Sequence, residues 1–220
     1  MLKCSGLAYA YEASISIPIY LSAGDYHALT GLSLGGDSVN CTLVSSLTAA
    51  VASVADNGSG KMRCTSVGHG FSTGDFACMN NASVAAYNVI TTLTYITDDT
   101  FDTTVNYDSD VTLNVTRGSG LKIAAGCGGP YKAGFGFFGT LAAANKAVKV
   151  ELVKNATEID TSSAIQGNDA TVDHVALSSA CTQVQLAGGD VLWAVMANQT
   201  DAVDFTLVMA SVTLSRNYGG

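Results

Sequence analysis

The sequence predicts an all-β protein, and three observations carry that expectation. Thr, Ser, Val, Ala and Gly dominate the composition, while Glu occurs only at Glu12, Glu151 and Glu158. The chain of 220 residues holds 23 glycines and few helix-forming Lys, Glu or Gln, a strand-and-turn composition. In several runs apolar residues recur at every second position, the period of a half-buried strand.

Taken in order, "SISIPIYL" alternates Ile15, Ile17 and Ile19. Pro18 lacks an amide donor, so this strand belongs at a sheet edge. "VSSLTAAVASVA" at 44 to 55 is the one stretch with a helical option. Its spacing is loose and uncapped, and a strand leading into the loop "DNGSG" at 56 to 60 is the other option. From Lys61 to about Val115 the texture changes to short Thr- and Asn-rich strands such as "YNVITTLTYITDDTFDTTV". After Gly120 stronger strands return. "AVKVELVK" puts Val148, Val150 and Leu152 on one face and Lys149 and Glu151 on the other. "TQVQLAGGDVLWAVMA" reads as strand, glycine turn and a more apolar strand around Trp193. "VDFTLVMASVTLSR" alternates from Val203 through Phe205, Leu207 and Met209, then changes phase to Val212 and Leu214. Such a change implies a bulge, or a corner between sheets. The change of texture marks a small domain inserted in a larger one, with "DNGSG" and "TRGSG" as its two joints. The expected division is 1–55 and 116–220 for the host and 56–115 for the insert. Insertions of this kind need only that the host ends lie close together.

Composition excludes several function classes. Net charge is −8, and the ten Lys and Arg are scattered. No positive stripe exists to displace counterions from nucleic acid, and an anionic membrane surface is disfavoured for the same reason. Charged residues make up only 13%, against about a quarter in an average soluble domain. That shortfall points to surface covered by copies of the chain or by another partner. The longest apolar-looking stretch, "AGFGFFGTLAAA" at 133 to 144, falls short of the ~20 residues of a membrane helix, and no signal peptide is evident. Cys4, Cys41, Cys64, Cys78, Cys127 and Cys181 form no Cys-x-x-Cys pair. The even count permits disulfides; free thiols packed as small apolar residues are the favoured reading. No Walker loop, dinucleotide fingerprint or HExxH motif is present, and no cofactor is expected.

"SVGHGFSTGDFACM", residues 66 to 79, brings His69, Ser72 and Asp75 within seven positions. These are the residue types of a hydrolytic triad. Yet Gly-Asp recurs at Gly24-Asp25, Gly36-Asp37, Gly74-Asp75 and Gly189-Asp190, three times before a strand-like run. Gly supplies positive φ and Asp bonds nearby amides, so the pair turns the chain into a strand. A turn recurs along a chain and a triad does not. Neighbours in one short loop also rarely converge on one atom. His69, Gly70, Gly74, Asp75, Gly189 and Asp190 are therefore read as structural turn residues, with His69 bonding backbone, and no catalytic residue is assigned.

Other groups are weighed the same way. Asp98, Asp99, Asp102, Asp108 and Asp110 could offer oxygens to calcium, but they lack EF-hand spacing and read as turn residues. Asp169, Asp173 and His174 read as an exposed polar loop, and Lys154-Asn155 as a hairpin turn. Phe135, Phe137, Phe138 and Trp193 could stack sugars; on strands this apolar they read, with Phe205, as core or subunit-contact residues. No metal site is assigned.

Two resemblances follow from these motifs. His69, Gly70, Phe71, Gly74, Asp75, Tyr87, Asn88, Asp99, Thr100 and Phe101 reproduce a pattern that resembles a small β module of tailed-bacteriophage virion proteins. It departs where Val89 replaces the glycine that usually follows Tyr-Asn. The order of "YKAGFGFFGTLAAANKAVKVELVKNATEID", "VQLAGGDVLWAVMANQTD" and "VDFTLVMASVTLSR" resembles a C1q/TNF-like jelly roll of the phage type. Ala156 there replaces a glycine that usually follows Lys-Asn. The resemblance implies a jelly-roll β-sandwich with the module inserted, assembled as a homotrimer. It implies a non-enzymatic virion structural protein, first a capsid decoration (cement) protein on the major capsid protein. A tail or tail-fibre adaptor or receptor-binding tip is the alternative.

Overall fold

The computed structural model describes residues 7–11, 17–21, 26–28, 33–36, 41–159, 162–167, 174–199 and 203–216. The first strands are β1 (Leu7–Tyr11), β2 (Ile17–Leu21), β3 (Tyr26–Ala28), β4 (Ser33–Gly36) and β5 (Cys41–Val44). Next come β6 (Leu47–Val51), β7 (Ser53–Asp56), β8 (Lys61–Thr65), β9 (Phe76–Asn80), β10 (Ile90–Thr97), β11 (Thr100–Asn106) and β12 (Leu113–Arg117). The chain continues with β13 (Gly120–Ile123), β14 (Gly129–Leu141), β15 (Ala147–Lys154), β16 (Thr157–Glu158) and β17 (Ala164–Gly167). It closes with β18 (His174–Leu186), β19 (Val191–Asn198) and β20 (Val203–Arg216). Apart from 3-10 turns at Ala85–Tyr87 and at Ser162, the regular structure among the described residues is strand, as the composition predicts.

Two antiparallel sheets form a β-sandwich. The first runs β18-β14-β20-β1-β4, with β2 also on β20. The second runs β16-β15-β19-β13-β5, with β17 on β15 and β3 on β19. Alternation decides what lies between them. Val148, Val150 and Leu152 of β15, Leu192, Ala194 and Met196 of β19, and Leu121 and Ile123 of β13 face Tyr131, Ala133 and Phe135 of β14. Val184, Leu186, Val212 and Leu214 complete this core. The phase change in β20 is a bulge: Phe138 pairs Met209 while Gly139 pairs Leu207. The strand stays in one sheet, and the extra residue sets Val212 and Leu214 opposite Phe135 and Ala133. Strand β2, with Pro18, pairs with β20 alone among the described strands, as an edge strand does.

The third sheet runs β6-β12-β9-β10-β11-β8-β7. Its two end strands, β6 and β7, are successive halves of one run interrupted only at Ala52. The first half pairs with β12 and the second with β8, so the sheet curls into a closed barrel without a long free edge. Met62, Cys64, Phe71, Met79, Tyr87, Leu93, Phe101 and Val115 fill its interior. This pairing decides between the two options for residues 44 to 55. Leu47–Val51 and Ser53–Asp56 are strands, with Ala49, Val51 and Val54 turned into the barrel. The same pairing places Leu47–Asp56 with the barrel, not with the host. The barrel's chain therefore runs from Leu47 to Arg117.

Candidate functional site

The two described Gly-Asp turns have one geometry. In Ser72–Asp75 the Asp75 amide donates to the Ser72 carbonyl (3.1 Å), and Asp75 Oδ2 accepts the Ser72 amide (2.8 Å). In Ala187–Asp190 the Asp190 amide donates to the Ala187 carbonyl (3.1 Å), and Asp190 Oδ2 accepts the Ala187 amide (2.8 Å). Gly74 and Gly189 sit at φ 90° and 95°, values that Cβ-bearing residues avoid. Each turn also clips a neighbouring strand. Gly74 donates to the Leu93 carbonyl and the Leu93 amide donates to the Asp75 carbonyl. Gly189 and Asp190 do the same with Ile123. The other two Gly-Asp pairs lie outside the described residues, apart from Gly36 in β4.

His69 is buried. Its Nδ1 accepts the Phe71 amide (3.0 Å), so Nε2 carries the proton and donates to the Thr97 carbonyl (2.9 Å). Its ring stacks on Phe71 and meets Phe101 edge-on. Asp75 is held by the Ser72 amide and by Arg117 (2.6 Å). The three triad residue types thus do not converge, because every polar atom of His69 and the carboxylate of Asp75 are engaged elsewhere. The remaining motif residues hold the barrel too. Asn88 clamps Ala82 through both its side-chain oxygen and nitrogen. The Tyr87 hydroxyl accepts the amides of Asp108 and Ser109. Asp99 accepts the Gly68 amide.

The barrel rests on the outer face of the second sheet. Trp193, Val195, Val153 and Ala28 of the sandwich meet Cys78, Phe76 and Ile90 of the barrel. Gly120 opposes Trp193 in the sheet; a Cβ there would lie 2.9 Å from the Leu192 carbonyl and 3.1 Å from Trp193 Cβ. Asn155 organises the sandwich side of this joint. In the left-handed region (φ 56°), it accepts the Val191 amide, donates to Asp190 and offers its carbonyl to Trp193 Nε1. Positive φ falls on Asn155 and not on Ala156, which explains why no glycine is needed at 156. Where barrel and sandwich meet, a cleft of about 360 Å³ opens, lined by the Ser72–Asp75 turn, Gly189, Phe76, Arg117, Lys122 and Trp193. Arg117 spans it from Asp75 to the Ser45 carbonyl.

The remaining predicted residues separate. Phe135 is sandwich core and Trp193 is joint core. Phe137 and Phe205 lie on β14 and β20, their side chains outside the described residues, as are Asp169, Asp173 and the His174 side chain. Asp98 accepts from Tyr95, Asp102 from Arg63 and Asn57, and Asp110 from Tyr107. Among the described residues no three His, Cys, Asp or Glu side chains converge on a common point. Cys41, Cys64, Cys78 and Cys127 are buried.

Glu151 stands on the face where alternation put it, and it is buried there. It lies on the face opposite Val150, yet that face is covered, and Glu151 is 1% exposed. It is ion-paired with Lys149 (2.5 Å), which lies 3.8 Å from Glu158. Burial pushes its carboxyl above the usual range, Lys149 opposes that, and Glu158 adds to it.

No protein-family model matches the chain, and no curated protein matches its sequence.

Proposed function

We propose that the chain is a non-enzymatic structural protein of a virion. More particularly, it is a capsid decoration protein of a tailed bacteriophage, acting as a homotrimer that clamps the shell. The observation that carries this reading is how the motif residues of the barrel are spent. His69, Phe71, Asp75, Tyr87, Asn88, Asp99 and Phe101 all hold the barrel closed, leaving none presented to a substrate. Strand order supports the jelly-roll part of the reading. From β13 onward the chain passes between the sheets at β14, β15, β18, β19 and β20, the crossing pattern of stacked Greek keys.

In this reading the work is mechanical. Binding that favours the expanded shell stabilises it by mass action. The test is partition: purified protein is mixed with expanded heads and, separately, with isolated tails, then sedimented and counted. Saturable binding to heads in multiples of three per local symmetry site supports decoration. Binding to tails alone, in a handful of copies, replaces it with the tail-adaptor reading.

A further inference from the structure

We infer that the tip of the barrel, where the loop 66–69 meets the β10–β11 hairpin, is the surface that docks on the shell; this rests on the decoration reading. Three of the five exposed large apolar residues among those described lie here: Val67 at 86%, Tyr95 at 42% and Ile96 at 38%. They are held as one unit. Ser66 and Gly68, on either side of Val67, donate to the carbonyl and carboxylate of Asp99. The His69 amide donates to the Asp98 carbonyl. The Tyr95 hydroxyl donates to Asp98, and Ile96 is the extra residue of a bulge between Tyr95 and Thr97. The tip is therefore an ordered platform, its loop fastened from both sides of Val67. The barrel's other apolar margin, Phe76, Cys78 and Ile90, is covered by the sandwich; the tip is left open. A grouped, rigid apolar surface of this kind marks a protein contact.

Charge selects the occupant. Asp98 and Asp99 are both exposed beside the apolar residues. Two copies meeting tip to tip would bring four aspartates together on chains of net charge −8 each, and like charges across a contact oppose it. The partner chemistry that fits is a different protein surface with an apolar recess for Val67 and Ile96 and Lys or Arg at its margin. In a virion that surface belongs to the shell protein.

The test is a sedimentation assay on expanded heads stripped of decoration, with native protein, Val67→Asp/Ile96→Asp, Asp98→Asn/Asp99→Asn, and Ile165→Asp. Ile165 is exposed on β17 of the sandwich and serves as the control for added charge. Thermal unfolding of each variant establishes that it is folded. The expected result is a loss of roughly tenfold or more in affinity for the apolar double variant and native binding for Ile165→Asp. The Asp98/Asp99 variant should show a shallower salt dependence than native protein. Native binding by folded Val67→Asp/Ile96→Asp overturns the docking face while leaving decoration standing, as does equal loss in the Ile165→Asp control. Self-association of native protein that Val67→Asp/Ile96→Asp abolishes assigns the tip to a second copy and also overturns it. Native protein that does not bind heads at all overturns decoration and the docking face together.

Discussion

The Trp193 indole donates its Nε1–H to the carbonyl oxygen of Asn155 at 2.8 Å. Asn155 holds the left-handed turn after β15, and Trp193 is the residue on which the barrel rests. A turn in the sandwich thereby fixes the ring against which the barrel packs.

Replacement of Trp193 separates the two contributions. Trp193→Phe keeps most of the apolar contact and loses the hydrogen bond, at a cost of about 1 kcal/mol. Trp193→Ala empties the joint at a cost of about 3–5 kcal/mol. Urea unfolding measures both. Limited proteolysis of Trp193→Ala should show new cleavage near Ser45–Ser46 and Gly118–Ser119, where the chain crosses between the two bodies.

The paired turns predict paired costs. Gly74→Ala and Gly189→Ala each force a Cβ to φ near 90° and should lower stability by about 1 kcal/mol or more. The two losses should be alike, because the hydrogen bonds are alike. A neutral result at either position would contradict the shared geometry.

Stability should respond to pH through opposed groups. The bidentate Arg63 guanidinium holds Asp102 below the usual carboxylate range against its partial burial, with help from Asn57. Burial alone would raise Asp190, but the Ala187 amide, Asn155 and Lys154 together hold it down. The stability from these two is present above the ordinary carboxylate value of about 4 and fades as pH falls through their lowered values. Glu151 is raised by burial, so its contribution has the opposite sign. It is present below the ordinary value and fades as pH rises through the raised one. Asp102→Asn should therefore lower Tm at neutral pH, with the deficit closing in acid. Glu151→Gln should raise Tm at neutral pH, with the gain closing in acid. Calorimetry from about pH 3 to pH 8 reads both.

The thiols should be silent in the folded protein. Burial pushes Cys64 up to about 12, and burial with the Glu158 charge raises Cys78 as well. Thiolate is the reacting form, so iodoacetamide at mildly alkaline pH should leave Cys64 and Cys78 unlabelled until denaturant is added. Mass spectrometry of native and denatured samples checks this.

The strands after Gly120 were legible because inner and outer faces alternate over long runs, as in Val148, Val150 and Leu152. The Gly-Asp turns were legible because their chemistry is local. Residues 44 to 55 carried a helical option because alanines at 49, 50, 52 and 55 suit either structure. Only pairing decides for strand: the first half with β12, far along the chain, and the second half with β8, the strand that follows. Glu151 was unreadable for a related reason. Alternation assigns a residue to a face but does not say whether another element covers that face. The cleft residues Arg117 and Asp75 lie 42 positions apart, and no local pattern links them.

The proposed role is mechanical and lies at the head surface. The most direct measurement is the temperature at which stripped, expanded heads come apart, followed with increasing amounts of the purified chain. Decoration requires a rise that saturates with added protein, as when a ligand binds only the intact shell. An unchanged disruption temperature at concentrations that saturate binding, or no binding to heads at all, would contradict it.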